Sequence, residues 1–145
     1  MSLPRHASTA SENQASAEFL VVCLCAEWCT TCREYRSGFN ELAAEFPEAR
    51  FCWLDIEDRA DDLGDLDIEN FPTLFIQRRG EGPPTSSRPV LFFGTMPPQP
   101  GHLRRMIEIL RAQSPQQSGD LARSSPERQG WQQDPDISRL GDLVA

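Results

Sequence analysis

The sequence FLVVCLCAEWCTTC, residues Phe19–Cys32, joins an apolar run to a Cys-x-x-Cys motif. The run Phe19–Cys25 has no charged residue to place toward water, which is typical of a strand buried on both faces of a sheet. Apolar side chains then recur at spacings of four, three and four residues, at Tyr35, Phe39, Leu42 and Phe46. This periodicity predicts a helix over roughly Thr30–Phe46, ended by Pro47. The motif therefore lies where a buried strand ends and a long helix begins.

The two cysteines of the motif have unequal positions on that predicted helix. A helix N-terminus carries unpaired backbone N–H groups and the positive end of the helix dipole. Both stabilise a thiolate, so we expect Cys29 to be the nucleophile. Cys32 lies one turn further on, where it can close a disulfide with Cys29 or resolve a mixed one. The pattern predicts a redox-active pair.

The central region of the chain alternates between strand and helix signals. Strands are predicted at Phe51–Ile56, Thr73–Gln77 and Pro89–Phe93, and helices at Arg59–Leu66 and around Leu103–Leu110. Glycines and prolines between Arg78 and Arg88 indicate a turn. This order predicts an α/β sheet that starts parallel and ends with a hairpin.

Composition divides the chain into three segments. Residues 1–17 are small and polar, and we expect them to be flexible or to form at most one short helix over Ser8–Ala17. Residues 18–112 hold nearly all the bulky apolar side chains and are predicted to form the folded domain. Residues 113–145 are rich in Ser, Gln and Pro. We expect this tail to be disordered, because it offers little apolar surface to offset the entropy of ordering it.

Length and charge exclude several classes of function. The 145 residues are enough for one domain, and 14 basic against 22 acidic residues give a net charge of −8. This balance argues against a nucleic-acid binder or an anionic-membrane binder, which needs a basic face. No apolar run approaches a membrane span, and residues 1–18 lack the apolar core of a secretory signal. We expect a cytoplasmic monomer, in which cysteines are more often catalytic or metal-binding than structural.

Two motifs together resemble the thioredoxin family. Ala26–Cys32, which reads Ala-Glu-Trp-Cys-Thr-Thr-Cys, is similar to the active-site segment of that family. Phe71-Pro72-Thr73-Leu74, forty residues after Cys32, resembles its second signature, which contains a cis-proline. Gly94, after the strand Val90–Phe93, resembles the glycine that closes the substrate groove. The resemblance covers about residues 18–112.

The resemblance implies a fold, an activity and a set of site residues. It implies a thioredoxin-like fold with a mixed sheet of four to five strands flanked by helices, and thiol–disulfide exchange with protein disulfides. The implied catalytic residues are Cys29 and Cys32, and the implied substrate-binding residues are Trp28, Phe71, Pro72, Thr73 and Gly94. A cis peptide bond before Pro72 would leave the backbone of Phe71 free to pair with an extended substrate. No bound cofactor is needed, and electrons would come from a reductase or another dithiol.

The sequence departs from the family pattern behind the second cysteine. Typical thioredoxins carry a buried Asp six residues before the nucleophile and a Lys that pairs with it, whereas here these positions are Cys23 and Trp53. The proton relay that the family uses is therefore missing. We expect Cys23 to be a neutral, inert thiol, because burial in an apolar strand disfavours the thiolate.

Other functions stay open from the residues alone. A binding or chaperone-like module could keep the fold without redox turnover. A metal or iron–sulfur protein could use Cys23, Cys29 and Cys32. We expect Cys23 and Cys25 to point to opposite faces of their strand, and His6 and His102 are isolated in sequence, so a zinc site is disfavoured. Cys23, Cys25 and Cys52 are therefore interpreted as small buried hydrophobes.

Overall fold

The computed structural model describes residues 18–63, 66, 68, 70–79 and 88–143. The strands are β1 (Phe19–Cys25), β2 (Ala49–Asp55), β3 (Thr73–Arg78) and β4 (Val90–Thr95). The helices are α1 (Thr30–Glu45), α2 (Ala60–Leu63), α3 (Pro100–Arg111), α4 (Pro115–Ala122), α5 (Pro126–Gln133) and α6 (Pro135–Leu143). The predictions for residues 1–17 and for the turn over 80–87 lie outside the described residues.

The four strands form one mixed sheet in the order β2-β1-β3-β4. β1 pairs in parallel with β2, whereas β3 pairs antiparallel with both β1 and β4. The sheet therefore starts parallel and ends with an antiparallel pair, as the order of predicted elements indicated. The predicted α/β fold with a mixed sheet and flanking helices is confirmed.

One face of the sheet is covered by α1 and α3. Phe19, Val21, Cys23 and Cys25, the odd-numbered residues of β1, share one apolar core with both helices. α1 contributes Tyr35, Phe39 and Leu42, three of the side chains whose spacing predicted it. Each such side chain stabilises the fold by about 1.5–3 kcal/mol on full burial. This face holds the end of β1 directly beneath the start of α1.

The opposite face is covered by the C-terminal helices, which the sequence did not predict. Leu20, Val22 and Leu24 of β1 pack in a second core that includes Trp131, Ile137 and Leu140. Three helices thus stand over 115–143, where residues 113–145 were predicted to be a disordered tail. That prediction is wrong, because Trp131, Ile137 and Leu140 lie on helix faces that pack against the sheet. Burial of these side chains offsets the entropy lost when the segment becomes ordered. The polar composition had suggested that too little apolar surface was present for this.

Each C-terminal helix starts at a polar residue followed by proline. The pairs are Ser114-Pro115, Ser125-Pro126 and Asp134-Pro135. A Ser or Asp side chain at the N-cap accepts hydrogen bonds from the first turn, and proline at the first helical position needs no N–H partner. Ser114 accepts from the backbone N–H of Gln117 within a capping box, and Asp134 accepts from that of Asp136. Prolines that suggested disorder therefore begin helices.

Side-chain hydrogen bonds join these helices to the sheet. The Gln132 side chain accepts from the backbone N–H of Val90 at 2.8 Å and donates to its carbonyl at 2.7 Å. Because β4 is an edge strand, this amide satisfies backbone groups that the ladder leaves open. Arg78, largely buried, donates to the Ser118 hydroxyl at 3.2 Å. In the parts of the chain described above, no helix is long and apolar enough to cross a membrane.

Candidate active site

Cys29 stands at the N-cap of α1, as the sequence predicted for the first cysteine of the motif. Its backbone N–H donates to the Ala26 carbonyl at 3.0 Å, which closes the turn after β1. Its own carbonyl accepts from the N–H of Arg33 at 3.1 Å and so begins the helix. The side chain is half-buried, forms no capping hydrogen bond and carries a free thiol. Cys29 thus lies at the end of α1 where the N–H groups of the first turn have no partner within the helix.

Cys32 is bonded to Cys25, and this differs from the pairing expected from the motif. The Cα atoms of Cys25 and Cys32 are 5.8 Å apart, and the two residues are 0% and 1% exposed. The reason is the alternation of β1, which turns Cys25 toward the face that α1 covers. Sequence reasoning treated Cys25 as filler and missed this partner of Cys32. Its place at the end of β1, just before the motif, was the available signal.

Cys23 also lies on this face, so the expectation that Cys23 and Cys25 point to opposite faces is wrong. Their sulfur atoms are 3.7 Å apart. Residues two apart on a strand share a face, because side chains alternate with a period of two. Burial raises the pKa of the Cys23 thiol well above its usual range, which keeps it protonated at neutral pH.

The buried polar side chains of the described residues include no carboxylate that could serve Cys23 as a proton relay. Cys23 lies opposite Trp53 in the register of β1 and β2. The guanidinium of Arg36 sits over the Trp53 ring, 5.0 Å from its centroid. The Tyr35 hydroxyl is buried and has no hydrogen-bond partner among the described residues. Burial raises the pKa of Tyr35, and the neighbouring Cys23 thiol adds to the increase. The buried groups beside the cysteines are thus weak acids that stay neutral.

Trp28 is an exposed aromatic side chain next to Cys29. Its side chain is 61% exposed, and its indole N–H donates to a carboxylate oxygen of Glu57 at 2.9 Å. The Trp28 and Phe71 rings meet edge to face, with centroids 5.5 Å apart. This contact joins the motif after β1 to the segment before β3. Two of the five residues implied as substrate-binding are therefore in direct contact.

The other three residues implied as substrate-binding have different surroundings. The Phe71–Pro72 peptide bond is cis, and Pro72 is buried. The Thr73 hydroxyl is buried and donates to the Asn70 carbonyl at 2.7 Å, a hydrogen bond that supports the turn before β3. Gly94 pairs with Leu74 across β3 and β4 and has a φ of +152°, a backbone conformation that glycine adopts without strain.

A cleft opens beside Cys32 on the side of β2. It has a volume of about 380 Å³. Its charged lining is mixed, with three acidic and three basic residues: Glu27, Arg33, Arg36, Asp55, Asp58 and Arg59. No three His, Cys, Asp or Glu side chains in the described ranges are grouped so that they could hold a metal ion.

Comparison with known proteins places this arrangement in a family. A sequence model of the thioredoxin family matches residues 6–89, more than half of the chain. The chain belongs to the thioredoxin family. A thioredoxin H-type protein of Fagopyrum esculentum is 30% identical over 66 residues, which cover 46% of this chain and 57% of that relative. The chain spans between 45% and 66% of the length of the curated thioredoxins that it matches.

Solved thioredoxins share the fold. Trypanosoma brucei brucei thioredoxin aligns with a TM-score of 0.54 at 20% identity, over 77% of this chain and 87% of that one. A chain of the complex of ferredoxin:thioredoxin reductase with thioredoxin f2 aligns with a TM-score of 0.50 at 19% identity. That alignment covers 72% of this chain and 88% of the other. At these identities the likeness establishes the thioredoxin fold of the chain and leaves its chemistry to be argued from its residues.

Proposed function

We propose that this thioredoxin-family protein is a thiol–disulfide oxidoreductase that works through Cys29 and Cys32. One observation carries the proposal. Cys29 stands at the N-cap of α1 with a free thiol, one turn before Cys32, whose sulfur takes part in a disulfide. The half-buried Cys29 thiol is accessible to a substrate disulfide, whereas Cys32 is only 1% exposed.

In the reduced protein the proposed reaction has two exchange steps. The Cys29 thiolate attacks one sulfur of a substrate disulfide, forms a mixed disulfide and releases the other substrate sulfur as a thiolate. The Cys32 sulfur then attacks the Cys29 sulfur, so that a Cys29–Cys32 disulfide forms and the second substrate thiolate leaves. The substrate gains two electrons and two protons, and the dithiol loses them.

The proton of Cys32 must leave without a buried carboxylate. Cys23 occupies the position of the family's Asp, and burial raises the pKa of this thiol, so it is a poor base. Water or dissolved base that enters the cleft beside Cys32 takes this role in our proposal. Exchange should therefore accelerate as the pH rises above neutral.

The substrates in this proposal are disulfides in proteins. The exposed Trp28 ring and the Phe71 ring beside it offer an apolar rim for an extended segment. We propose that the Phe71 backbone pairs with that segment by strand addition. The electron donor would be another dithiol or a reductase, and ferredoxin:thioredoxin reductase is such a partner for thioredoxin f2. A reducing compartment such as the cytoplasm fits this role, which localisation by cell fractionation tests.

Trapping of substrate tests the assignment of the two cysteines. Cys32→Ser should accumulate mixed disulfides through Cys29, because the resolving thiol is absent. Cys29→Ser should trap none and should lose reduction of insulin, a model protein disulfide. The measurement is non-reducing electrophoresis of each variant after incubation with insulin, with Cys52→Ser as a control that leaves the motif intact. Equal trapping by both motif variants, or insulin binding without reduction by the wild type, would favour a non-catalytic binding module.

A further inference from the structure

We propose that Cys25 is a second resolving cysteine. It displaces Cys29 from the disulfide with Cys32, so that the disulfide moves into the protein interior. The inference rests on the proposed function, since it begins where the Cys29–Cys32 disulfide has formed. Its basis is the bond that joins Cys25 to Cys32 while Cys29 remains a free thiol.

Cys32 lies between two possible partners. The Cα separation of Cys25 and Cys32, 5.8 Å, falls inside the range in which a disulfide closes without backbone movement. Cys29 and Cys32 are three residues apart at the start of α1, so their side chains are neighbours on one helix face. A change of partner therefore needs the Cys32 side chain to reorient rather than the chain to refold.

The transfer is an exchange within one molecule. The Cys25 sulfur attacks the Cys32 sulfur of the Cys29–Cys32 disulfide, the Cys25–Cys32 bond forms, and Cys29 leaves as a thiolate. One disulfide breaks and one forms, so no electrons are gained or lost. The proton of Cys25 passes to water or to the released Cys29. Cys29 is half-buried, so the leaving sulfur is released where water can reach it.

The transfer changes what the oxidised protein presents to solvent. Both sulfurs of the Cys25–Cys32 disulfide belong to residues that are almost fully buried, so an external thiol cannot attack them directly. Cys29, half-buried and free, becomes the reactive thiol of the oxidised protein. Reduction must then begin with attack by Cys29 on Cys32, which restores the surface pair. Cys29 thus takes part both in forming the buried disulfide and in reducing it.

Cys23 supplies a matched control for Cys25. It lies on the same strand and the same face, its sulfur is 3.7 Å from that of Cys25, and it is equally buried. It is nevertheless a free thiol. Replacing Cys23 therefore perturbs the same part of the core without removing the proposed resolving sulfur.

Disulfide mapping of the full chain tests the inference. The reduced protein is oxidised with oxidised glutathione, labelled with N-ethylmaleimide under native conditions and cleaved after glutamate. Cleavage after Glu27 separates Cys25 from the motif, so a Cys25–Cys32 disulfide links two peptides and a Cys29–Cys32 disulfide stays within one. We expect linked peptides with labelled Cys29 in the wild type and in Cys23→Ser. We expect the bond within one peptide, and loss of Cys29 labelling, in Cys25→Ser.

The outcomes separate this inference from the proposed function. If the oxidised wild type holds only Cys29–Cys32 and Cys25→Ser oxidises in the same way, the second resolving cysteine is refuted while the proposed function stands. If Cys32 forms no disulfide in the oxidised wild type and Cys32→Ser traps no insulin, both the second resolving cysteine and the proposed function are refuted. The wild-type map decides the matter even if Cys25→Ser does not fold, and Cys25→Ala repeats the test with a smaller, apolar side chain.

Discussion

Cys23 shows how one substitution changes the interior of a thioredoxin fold. Where the family pattern has a buried Asp, this chain has a thiol that faces the Trp53 ring rather than a lysine. Burial raises the pKa of Cys23, and Arg36 lowers it only in part. The site therefore loses an internal base and gains a second sulfur next to Cys25. Under the proposed function, exchange at this point relies on neighbouring sulfur atoms and not on a carboxylate.

The raised pKa of Cys23 predicts a stability that falls in alkaline solution. Below the unfolded-state pKa of about 8.5, both states keep the thiol proton and the full stability is present. Above that pH the unfolded chain releases the proton and the folded chain holds it. The free energy of unfolding should therefore fall by up to about 1.4 kcal/mol per pH unit from this group. Cys23→Ala should remove this component of the slope.

Urea unfolding of the fully reduced protein between pH 7.5 and 10 measures that slope. Val21→Ala is the control, because Val21 lies on the same face of β1 and is equally buried but does not titrate. Val21→Ala should lower the free energy of unfolding by the same amount at every pH, so that its pH slope equals that of the wild type. A slope that is the same in Cys23→Ala and the wild type would mean that the Cys23 thiol titrates alike in both states.

At the scale of elements, α1 is held by the strand beneath it and by the start of α3. Gly38 lies midway along α1, and a Cβ atom built there would collide with the ring of Pro100. Pro100 is the first residue of α3, and its ring is rigid. The two helices therefore approach so closely that only glycine fits. This approach fixes the angle of α1 and with it the position of Cys29 at its start.

Gly38→Ala should destabilise the protein even though alanine favours helices. Overpacking of this kind costs about 1–3 kcal/mol, which exceeds the gain of about 1 kcal/mol in helix propensity. Gly130→Ala is the matched control, because Gly130 lies inside α5 and a Cβ atom there meets open space. It should be neutral or stabilising. Thermal unfolding of the wild type and both variants measures these effects. A melting temperature of Gly38→Ala equal to that of the wild type would show that α3 moves aside freely.

At the scale of the whole molecule, the sheet needs cover on two faces. α1 and α3 cover one face, and the C-terminal helices α5 and α6 cover the other. The edge-to-face contact between Phe92 and Trp131, with centroids 5.9 Å apart, joins β4 to α5. Without these helices Leu20, Val22 and Leu24 would face water. The C-terminal region is therefore part of the structural unit that holds the candidate active site.

Replacement of Trp131 should therefore lower the stability of the fold. Trp131 is 8% exposed, and Trp131→Ala should cost about 3–5 kcal/mol, typical of a large aromatic side chain removed from a core. Truncation after Gln113 should cost more and promote aggregation. Ile109→Ala is the control, because Ile109 is an apolar helix residue that is 55% exposed, and it should change stability by about 0.5 kcal/mol at most. An unchanged melting temperature for Trp131→Ala or the truncated chain would mean that these helices do not dock.

The amino-acid sequence alone determined the local elements and the position of the motif. The apolar run of β1, the helical periodicity of α1 and the Cys-x-x-Cys spacing are properties of neighbours in the chain. They predicted that Cys29 caps a helix after a buried strand, and this is confirmed. The order of the predicted elements also indicated a mixed sheet, because hydrophobic period is a property of neighbouring residues. The resemblance of two motifs, Ala26–Cys32 and Phe71–Leu74, implied the thioredoxin family.

Only the tertiary structure decided which distant groups meet. The prediction that β1 is buried on both faces implied a second layer, but nothing in the polar composition of residues 113–145 showed that this segment supplies it. A few apolar side chains on the short helices α5 and α6 suffice, because burial depends on where side chains point and not on their average number. The pairing of Cys32 with Cys25 likewise depends on how α1 sits over β1. Sequence spacing favours the neighbour three residues away, whereas the fold brings a sulfur from the strand below within bonding reach.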